Sequence, residues 1–341
     1  MKLSIIIPCY NCSKTIGRLL DSILANGLDK EDYEVIIADD KSTDGFLDIV
    51  KTYKDRINFV YCETTREVHC PGNTRQAALP YIHGEWFTFI DNDDMFEPDF
   101  FKYMFNYIDT HPEAQYTLVS NFREWDEEQQ AYTKEIIGEE TDTWLHGKFF
   151  NKVNTLDKYH CYFKEDLMSH EDVYFNSCNL ANLISNGTDY VYLPIFGYKW
   201  CYRPDSLSRS YFSQKNYYIY TYLDDFMVGA SYPFFDMYKE AMTDENRGFA
   251  LNQIMMTILH GYFYYEAQLW RLGQNETLIG SYNALMNLKR KIIKDLNLTE
   301  WDIINFIYNL PERYMKVKKS CFNGTCNFVE TQSFRDFILN L

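Results

Sequence analysis

Positive charge is scarce in this chain: 33 Lys and Arg stand against 49 Asp and Glu, a formal net charge of -16 over 341 residues. A field of that sign repels nucleic acid and anionic membrane at long range, so no nucleic-acid partner is expected. No GxGxxG or Walker-type glycine run follows the first apolar stretch. That leaves a Rossmann dehydrogenase or a P-loop nucleotidase without its phosphate cradle. The N-terminus carries one Lys and a short apolar run before Pro8, too little for a signal peptide or a bilayer span. The expected location is therefore cytoplasmic. Cys9 and Cys12 have CxxC spacing, but no second close pair completes a zinc site. Cys321 and Cys326 flank a Gly-containing turn and have the spacing to pair, although a reduced intracellular chain is the expectation.

Apolar material is plentiful. With 46% hydrophobic and 18% aromatic residues the chain can fill a core, and its length fits about one to three domains. Leu3–Ile7 is a short apolar run ended by Pro8, the pattern of a buried parallel strand. Asn11 or Ser13 is expected to cap a helix whose stripe is Ile16, Leu19, Leu20, Ile23 and Leu24, stopped at Gly27. Glu34–Ala38 reads as the second strand, Asp44–Lys54 as a helix and Ile57–Tyr61 as the third strand. A further helix lies near Asn73, and Gly84–Ile90 forms a fourth buried strand. Such alternation predicts right-handed βαβ units, an α/β sheet, mostly parallel, with helices on both faces.

The acids fall at strand ends. Asp91-Asn92-Asp93-Asp94 closes the fourth strand, Asp39-Asp40 the second, and Pro8-Cys9-Tyr10-Asn11 the first. Ligands of open α/β sheets bind outside the carboxyl ends of the strands. Adjacent carboxylates there repel one another and cost desolvation unless a cation joins them. Hard divalent cations take oxygen ligands and share them with substrate phosphates. The tip Asp91–Asp94 thus predicts a seat for a metal and a diphosphate.

These segments resemble the family 2 glycosyltransferases of GT-A fold. The resemblance rests on Ser4–Asn11, on Ala38–Gly45 and on Gly84-Glu85-Trp86 leading into Asp91–Asp94, in the family's order and spacing, over roughly residues 1–210. Later segments agree: Trp144–Phe150 resembles the acceptor-side segment, His170–Phe175 the Glu-Asp helix start, and Tyr202-Arg203 with Ser206 and Ser208 the closing loop. The resemblance implies a metal-dependent inverting transfer from a UDP-sugar to a hydroxyl of a carbohydrate or polymer acceptor. Relatives of this size decorate polysaccharide, teichoic acid or lipid-linked glycans. Carried over by position, Pro8, Tyr10 and Asn11 line the nucleotide pocket, and Asp40 with Asp39 accepts from uracil and ribose. Asn73 and Arg75 approach the sugar or diphosphate, Asp91 with Asn92 faces the donor, and Asp93 ligates Mn²⁺ or Mg²⁺. Asp172 is the implied general base, with Glu171, His170 and Arg203 on the acceptor or diphosphate side.

Plainer readings compete. Asp39-Asp40 with Ser42 and Asp44 fits a turn and helix cap, and Glu171-Asp172 fits an acidic first turn favoured by the helix dipole. His170 lacks a partner at ligand spacing and reads as structural or as an acceptor contact. Arg203 fits a surface ion pair equally well. Pro80 is expected inside the helix after Asn73, bending it and loosening the approach of Arg75. A sugar-phosphate nucleotidyltransferase would show a Gly-rich basic loop after the first strand, and none is there; an inactive sugar-binding scaffold would bind UDP without turning it over. The expected domains are 1–210, with halves at about 1–120 and 121–210, and a helical 211–341. In the latter, Leu251, Ile254, Met255, Ile258, Leu259 and Tyr262 recur at helical spacing, as do Leu285, Leu288, Ile292, Ile293 and Leu296. Lys289, Arg290, Lys291 and Lys294, with Lys316, Lys318 and Lys319, suggest peripheral membrane contact, against the plainer solvated face. A homo-oligomer contact through these helices is the remaining partner expectation.

Overall fold

The computed structural model describes residues 1–138, 144–165, 167–203, 218–272, 276–321 and 333–340. The chain divides into two compact units, Met1–Ser206 and Leu207–Leu341.

The first unit is built on one nine-stranded sheet. β1 (Leu3–Cys9), β2 (Tyr33–Asp39), β3 (Phe59–Glu63) and β4 (Trp86–Phe89) lie parallel in the order β3-β2-β1-β4. β1 and β2 are buried at every position, as continuous Ile/Val/Leu runs require of strands covered on both faces. Beyond β4 the sheet turns mixed: β8 (Lys148–Asn151) pairs antiparallel with β4 and with β6 (Thr117–Asp126). β9 (Val191–Cys201) runs parallel to β6 and antiparallel to β5 (Met95–Phe96), and β7 (Ala131–Ile136) hangs off β6.

Helix α1 (Ile16–Ala25) buries Ile16, Leu19, Leu20 and Ile23, the expected stripe. Its N-cap is Thr15, however, with no side-chain capping bond. Asn11 and Ser13 are spent elsewhere: Asn11 Oδ1 accepts from Thr43 N at 2.9 Å, and Ser13 N donates to Asp44 Oδ2 at 2.6 Å. α2 spans Phe46–Lys51 and α3 spans Pro71–Ala78, with Pro71 in its first turn, where a missing N–H costs nothing. Pro80 does not lie inside α3. The helix ends at Ala78 and Pro80 sits in the 3₁₀ turn Leu79–Tyr81, because proline disfavours α geometry before it and supplies no N–H. α4 (Phe100–Thr110) packs beside β9, and α5 (Glu171–Ser185) is seated by Phe175, whose ring stacks on Phe163 at 4.5 Å and meets Phe150 and Phe89 edge-on.

The second unit is helical in its described residues: α6 (Tyr218–Glu240), α7 (Asp244–Leu272), α8 (Glu276–Leu296), α9 (Glu300–Tyr308), α10 (Pro311–Cys321) and α11 (Phe334–Asn340). Ile254, Met255, Ile258, Leu259 and Tyr262 are buried, as are Leu285, Leu288, Ile292 and Leu296. The basic stretch does not form one face. Lys289 is buried, donating to Ile338 O at 2.5 Å and pairing with Glu300 at 2.6 Å. Lys291 pairs with Asp295 and covers the Tyr232 and Phe235 rings, while Arg290 and Lys294 are exposed. The side chain of Lys319, along with Cys326, Ser206 and Ser208, lies outside the described residues. Among the described residues no helix is long and apolar enough to cross a membrane.

Candidate functional site

Strand register brings the polar tips to one edge. Cys9 pairs with Asp39 and Asp39 with Glu63, while Ile90 N continues β4 by donating to Ile6 O at 3.0 Å. The edge is then laced together. Asp40 N donates to Cys9 O at 2.8 Å, and Asn92 Nδ2 to Pro8 O at 2.8 Å.

On the β1–β2 side, Tyr10 is an exposed ring with its centroid 5.5 Å from that of His69. Below them Asp40 is buried, with His69 Nδ1 3.1 Å from its Oδ1. Burial raises the Asp40 carboxyl above its ordinary value and His69 opposes the rise. Asp39 spends both oxygens on its surroundings, accepting from Ser42 N and from the Tyr61 hydroxyl at 3.0 Å each. Asn11 N donates to Ser42 Oγ at 2.9 Å, so these two residues shape the loop between the strand ends. Asn73 is buried and donates to Val68 O at 3.0 Å, fixing the segment that carries His69.

On the β4 side, Arg75 is 6% exposed and donates at 2.6 Å both to Asp91 Oδ1 and to Glu171 Oε1. α3 comes this close to α5 because residue 72 is glycine. A Cβ there would lie 2.8 Å from the Glu171 Cβ. Asp91 resists its own desolvation: Arg75 and His146 hold its carboxyl below the ordinary value. Asp93 faces Arg203 NH1 at 3.2 Å, and Arg18 donates to its carbonyl. Burial and Asp91 raise its carboxyl. Asp94 is buried and held by the Tyr198 hydroxyl at 2.5 Å and by Cys201 N at 2.7 Å. Burial, then Asp93 and Asp91, push it well above the usual carboxylate range, although both bonds favour the anion.

Among the described residues one group has donor atoms close enough to hold a metal ion: Asp91, Asp94 and His146, all within 4.8 Å of one another. His146 Nε2 lies 3.9 Å from Asp91 Oδ2 and 4.0 Å from Asp94 Oδ2. Burial drives the imidazole down to about 4, so it is the neutral ligand form at pH 7. Two crowded carboxylates beside a neutral imidazole suit a divalent cation, whose charge would offset the anions' desolvation. Asp93 is not in this group, and His146 was not singled out from the sequence, where it is one residue of the Trp144–Phe150 segment. Nor did the sequence flag Tyr198, which has no mark beyond a strand's aromatic pattern.

Asp172 opens α5 immediately after Glu171. Desolvation, then the Glu171 charge, raises its carboxyl to about 7, with Arg75 and the Val173 N–H opposing. A carboxyl titrating there can take a proton at neutral pH. His170 adopts a left-handed backbone (φ 58°) as N-cap, its Nδ1 3.0 Å from Ser169 Oγ, and burial lowers it to about 4. The structure thus gathers Pro8, Asn92, Arg75, Asp91, Asp93, Arg203 and Glu171-Asp172 around the β4 tip, while Tyr10, Asp40 and Asn73 flank the β1–β2 side.

A parallel half-sheet whose strand tips carry the acids, continued by an antiparallel half that holds them, is the GT-A architecture. Residues 4–166 match the family model Glycosyl transferase family 2. It is 30% identical over 232 residues to the poly(ribitol-phosphate) beta-N-acetylglucosaminyltransferase TarS of Staphylococcus aureus, covering 64% of this chain and 39% of the relative. Over 95 residues it is 45% identical to the poly(ribitol-phosphate) beta-glucosyltransferase of Bacillus spizizenii, covering 28% of this chain and 15% of the relative. The chain therefore spans well under half the length of these curated relatives. Among solved structures, S. aureus TarS 1–349 in complex with UDP-GlcNAc shares the fold, with a TM-score of 0.69 at 20% identity over 95% of this chain and 91% of that one. The mannosyltransferase PcManGT of Pyrobaculum calidifontis, in complex with GDP-Man and Mn²⁺, has a TM-score of 0.51 at 12% identity over 99% of this chain and 85% of that one.

Proposed function

We propose that the chain is a metal-dependent, inverting glycosyltransferase that moves a sugar from a UDP-sugar to a hydroxyl of a teichoic-acid-type polymer. The observation that carries this reading is the join between tip and base. Asp91 and Glu171 share the Arg75 guanidinium, each at 2.6 Å, and Asp172, next in sequence, is raised to about 7. That puts a proton acceptor beside an acidic strand edge suited to a cation. The polymer class is favoured by the poly(ribitol-phosphate) relatives, and UDP by the TarS complex.

In this reading Tyr10 stacks on the base and the buried Asp40 accepts from its N–H. Pro8, Asn11 and Asp39 shape the floor, and Asp91 and Asn92 face the donor sugar. The tip Asp91–Asp94 would hold Mn²⁺ or Mg²⁺. The geometry favours Asp91, Asp94 and His146 as donors, and the family resemblance points to Asp93. When bound, the cation supplies positive charge to the departing diphosphate. Asp172 takes the proton of the acceptor hydroxyl as its oxygen bonds to the anomeric carbon. The bond from that carbon to UDP breaks, and the electron pair leaves with UDP. A single base opposite the leaving group gives inversion. Arg203 and His170 stand at the acceptor and diphosphate side.

The test is a panel of UDP-, GDP- and dTDP-sugars with Mn²⁺ or EDTA, scored for slow donor hydrolysis. Hydrolysis of a UDP-sugar with metal alone is expected. If the protein turned over none of them while binding UDP, it would be the inactive scaffold instead.

A further inference from the structure

We propose that Arg75 is a positioning residue: it pins the start of α5, and with it Asp172, to the acidic tip after β4. This rests on the transferase reading and gives Arg75 a role different from donor binding. Arg75 is nearly inaccessible, and both terminal nitrogens are committed to carboxylates, one on each side of the reacting centre. Drawing the guanidinium onto a diphosphate would loosen two ion pairs, of which that to Glu171 is buried on both sides and that to Asp91 partly exposed, and opening the buried one leaves an uncompensated charge. The guanidinium fork suits such a bridge because its donors diverge in one plane; an ammonium is a point donor on a flexible stem.

The surroundings are shaped for the bridge. Gly72, one helical turn before Arg75, leaves the space that Glu171 fills. Gln76, next to Arg75, accepts from Phe163 N at 2.8 Å, and the Phe163 ring stacks on Phe175 of α5. Thus α3 holds α5 at two levels: the Arg75–Glu171 pair beside the base and the Gln76–Phe163 bond behind it. Among the described residues the bonds of Asp172 are local: its Oδ1 accepts from Val173 N at 2.8 Å and its carbonyl from Asn176 Nδ2 at 2.9 Å. Its placement relative to Asp91 is set through its neighbour Glu171, by way of Arg75.

The experiment compares Arg75→Gln, Arg75→Lys and Glu171→Gln in the full chain. UDP dissociation constants with Mn²⁺ and donor turnover are measured together. Misplacing a catalytic group by an ångström can cost about 100-fold, so turnover should fall by about that factor in all three. UDP affinity should stay within about threefold, since the residue does not touch the nucleotide in this account. Arg75→Lys should not rescue, and the Arg75→Gln/Glu171→Gln double variant should be no worse than either single one, as expected for partners in one contact. Loss of UDP affinity with turnover intact would make Arg75 a donor contact and overturn the proposal, as would wild-type turnover in Arg75→Gln.

Should Arg75→Gln fail to fold, Glu171→Gln, which keeps shape and volume, carries the same comparison. Amide exchange decides the clamp without any activity. The proposal expects faster exchange over residues 171–175 with β1 unchanged, and unchanged exchange at 171–175 would refute it. A wild-type protein that turns over no donor, with variants that show that exchange pattern, would sink the transferase reading and leave the clamp standing.

Discussion

Replacing Asp172 by Asn keeps the shape of the side chain and removes the proton acceptor. The carboxyl is raised from 3.8 to about 7 by desolvation and by Glu171. A base with that value is about one-tenth ionised at pH 6 and nine-tenths at pH 8, so the wild-type rate should rise about ninefold across that interval. An ordinary carboxyl would give no change there. Asp172→Asn should lose about 10²–10⁴-fold in turnover and the rising limb with it, while UDP affinity is spared. Stability carries a second signature. The folded value lies above the unfolded one, so the carboxyl's contribution is fully present below about pH 4. It is lost as pH rises to about 7, a total on the order of 4 kcal/mol. The Asn variant should therefore be more stable than wild type at pH 8 and similar at pH 4, read by urea unfolding at both. A flat rate between pH 6 and 8, or an active Asn variant, would refute the role of Asp172.

Two further outcomes follow from the acidic tip. In Mn²⁺ titrations followed by UDP calorimetry, His146→Gln should weaken metal-dependent UDP binding by about tenfold or more if the imidazole is a ligand. An unchanged His146→Gln beside a dead Asp93→Ala would move the metal to Asp93. Tyr198→Phe removes the 2.5 Å bond to the buried Asp94 and should cost about 1.5–3 kcal/mol in urea unfolding at neutral pH if Asp94 is held there as the anion that this bond favours. A cost below about 0.5 kcal/mol would mean that Asp94 is protonated and needs no donor.

Much of the parallel half could be read directly, because its signal is local. Leu3–Ile7 and Glu34–Ala38 are unbroken apolar runs, and both became strands extended by one or two residues. The third strand sits two residues later than its apolar run suggests, at Phe59–Glu63. The antiparallel half was not legible. β6 and β9 mix Arg, Glu, Lys and Trp with apolar residues, and their pairing is set by contacts far apart in sequence. The same division runs through the site. Asp40, Asp91 and Asp172 announce themselves by position at strand and helix ends. Asp94, His146 and Tyr198 become a cluster only when β8 pairs with β4 and β9 pairs with β5, and neither spacing nor composition carries that information. Asp39 and Asn11 show the reverse case: conspicuous in the motif, they are engaged in turn-forming bonds.

The most direct measurement is UDP release from UDP-GlcNAc and UDP-glucose with poly(ribitol phosphate) as acceptor, in Mn²⁺ and in EDTA. The expected result is metal-dependent release that the acceptor accelerates and Asp172→Asn abolishes. Release unaffected by EDTA and equal in the Asp172→Asn protein would contradict it.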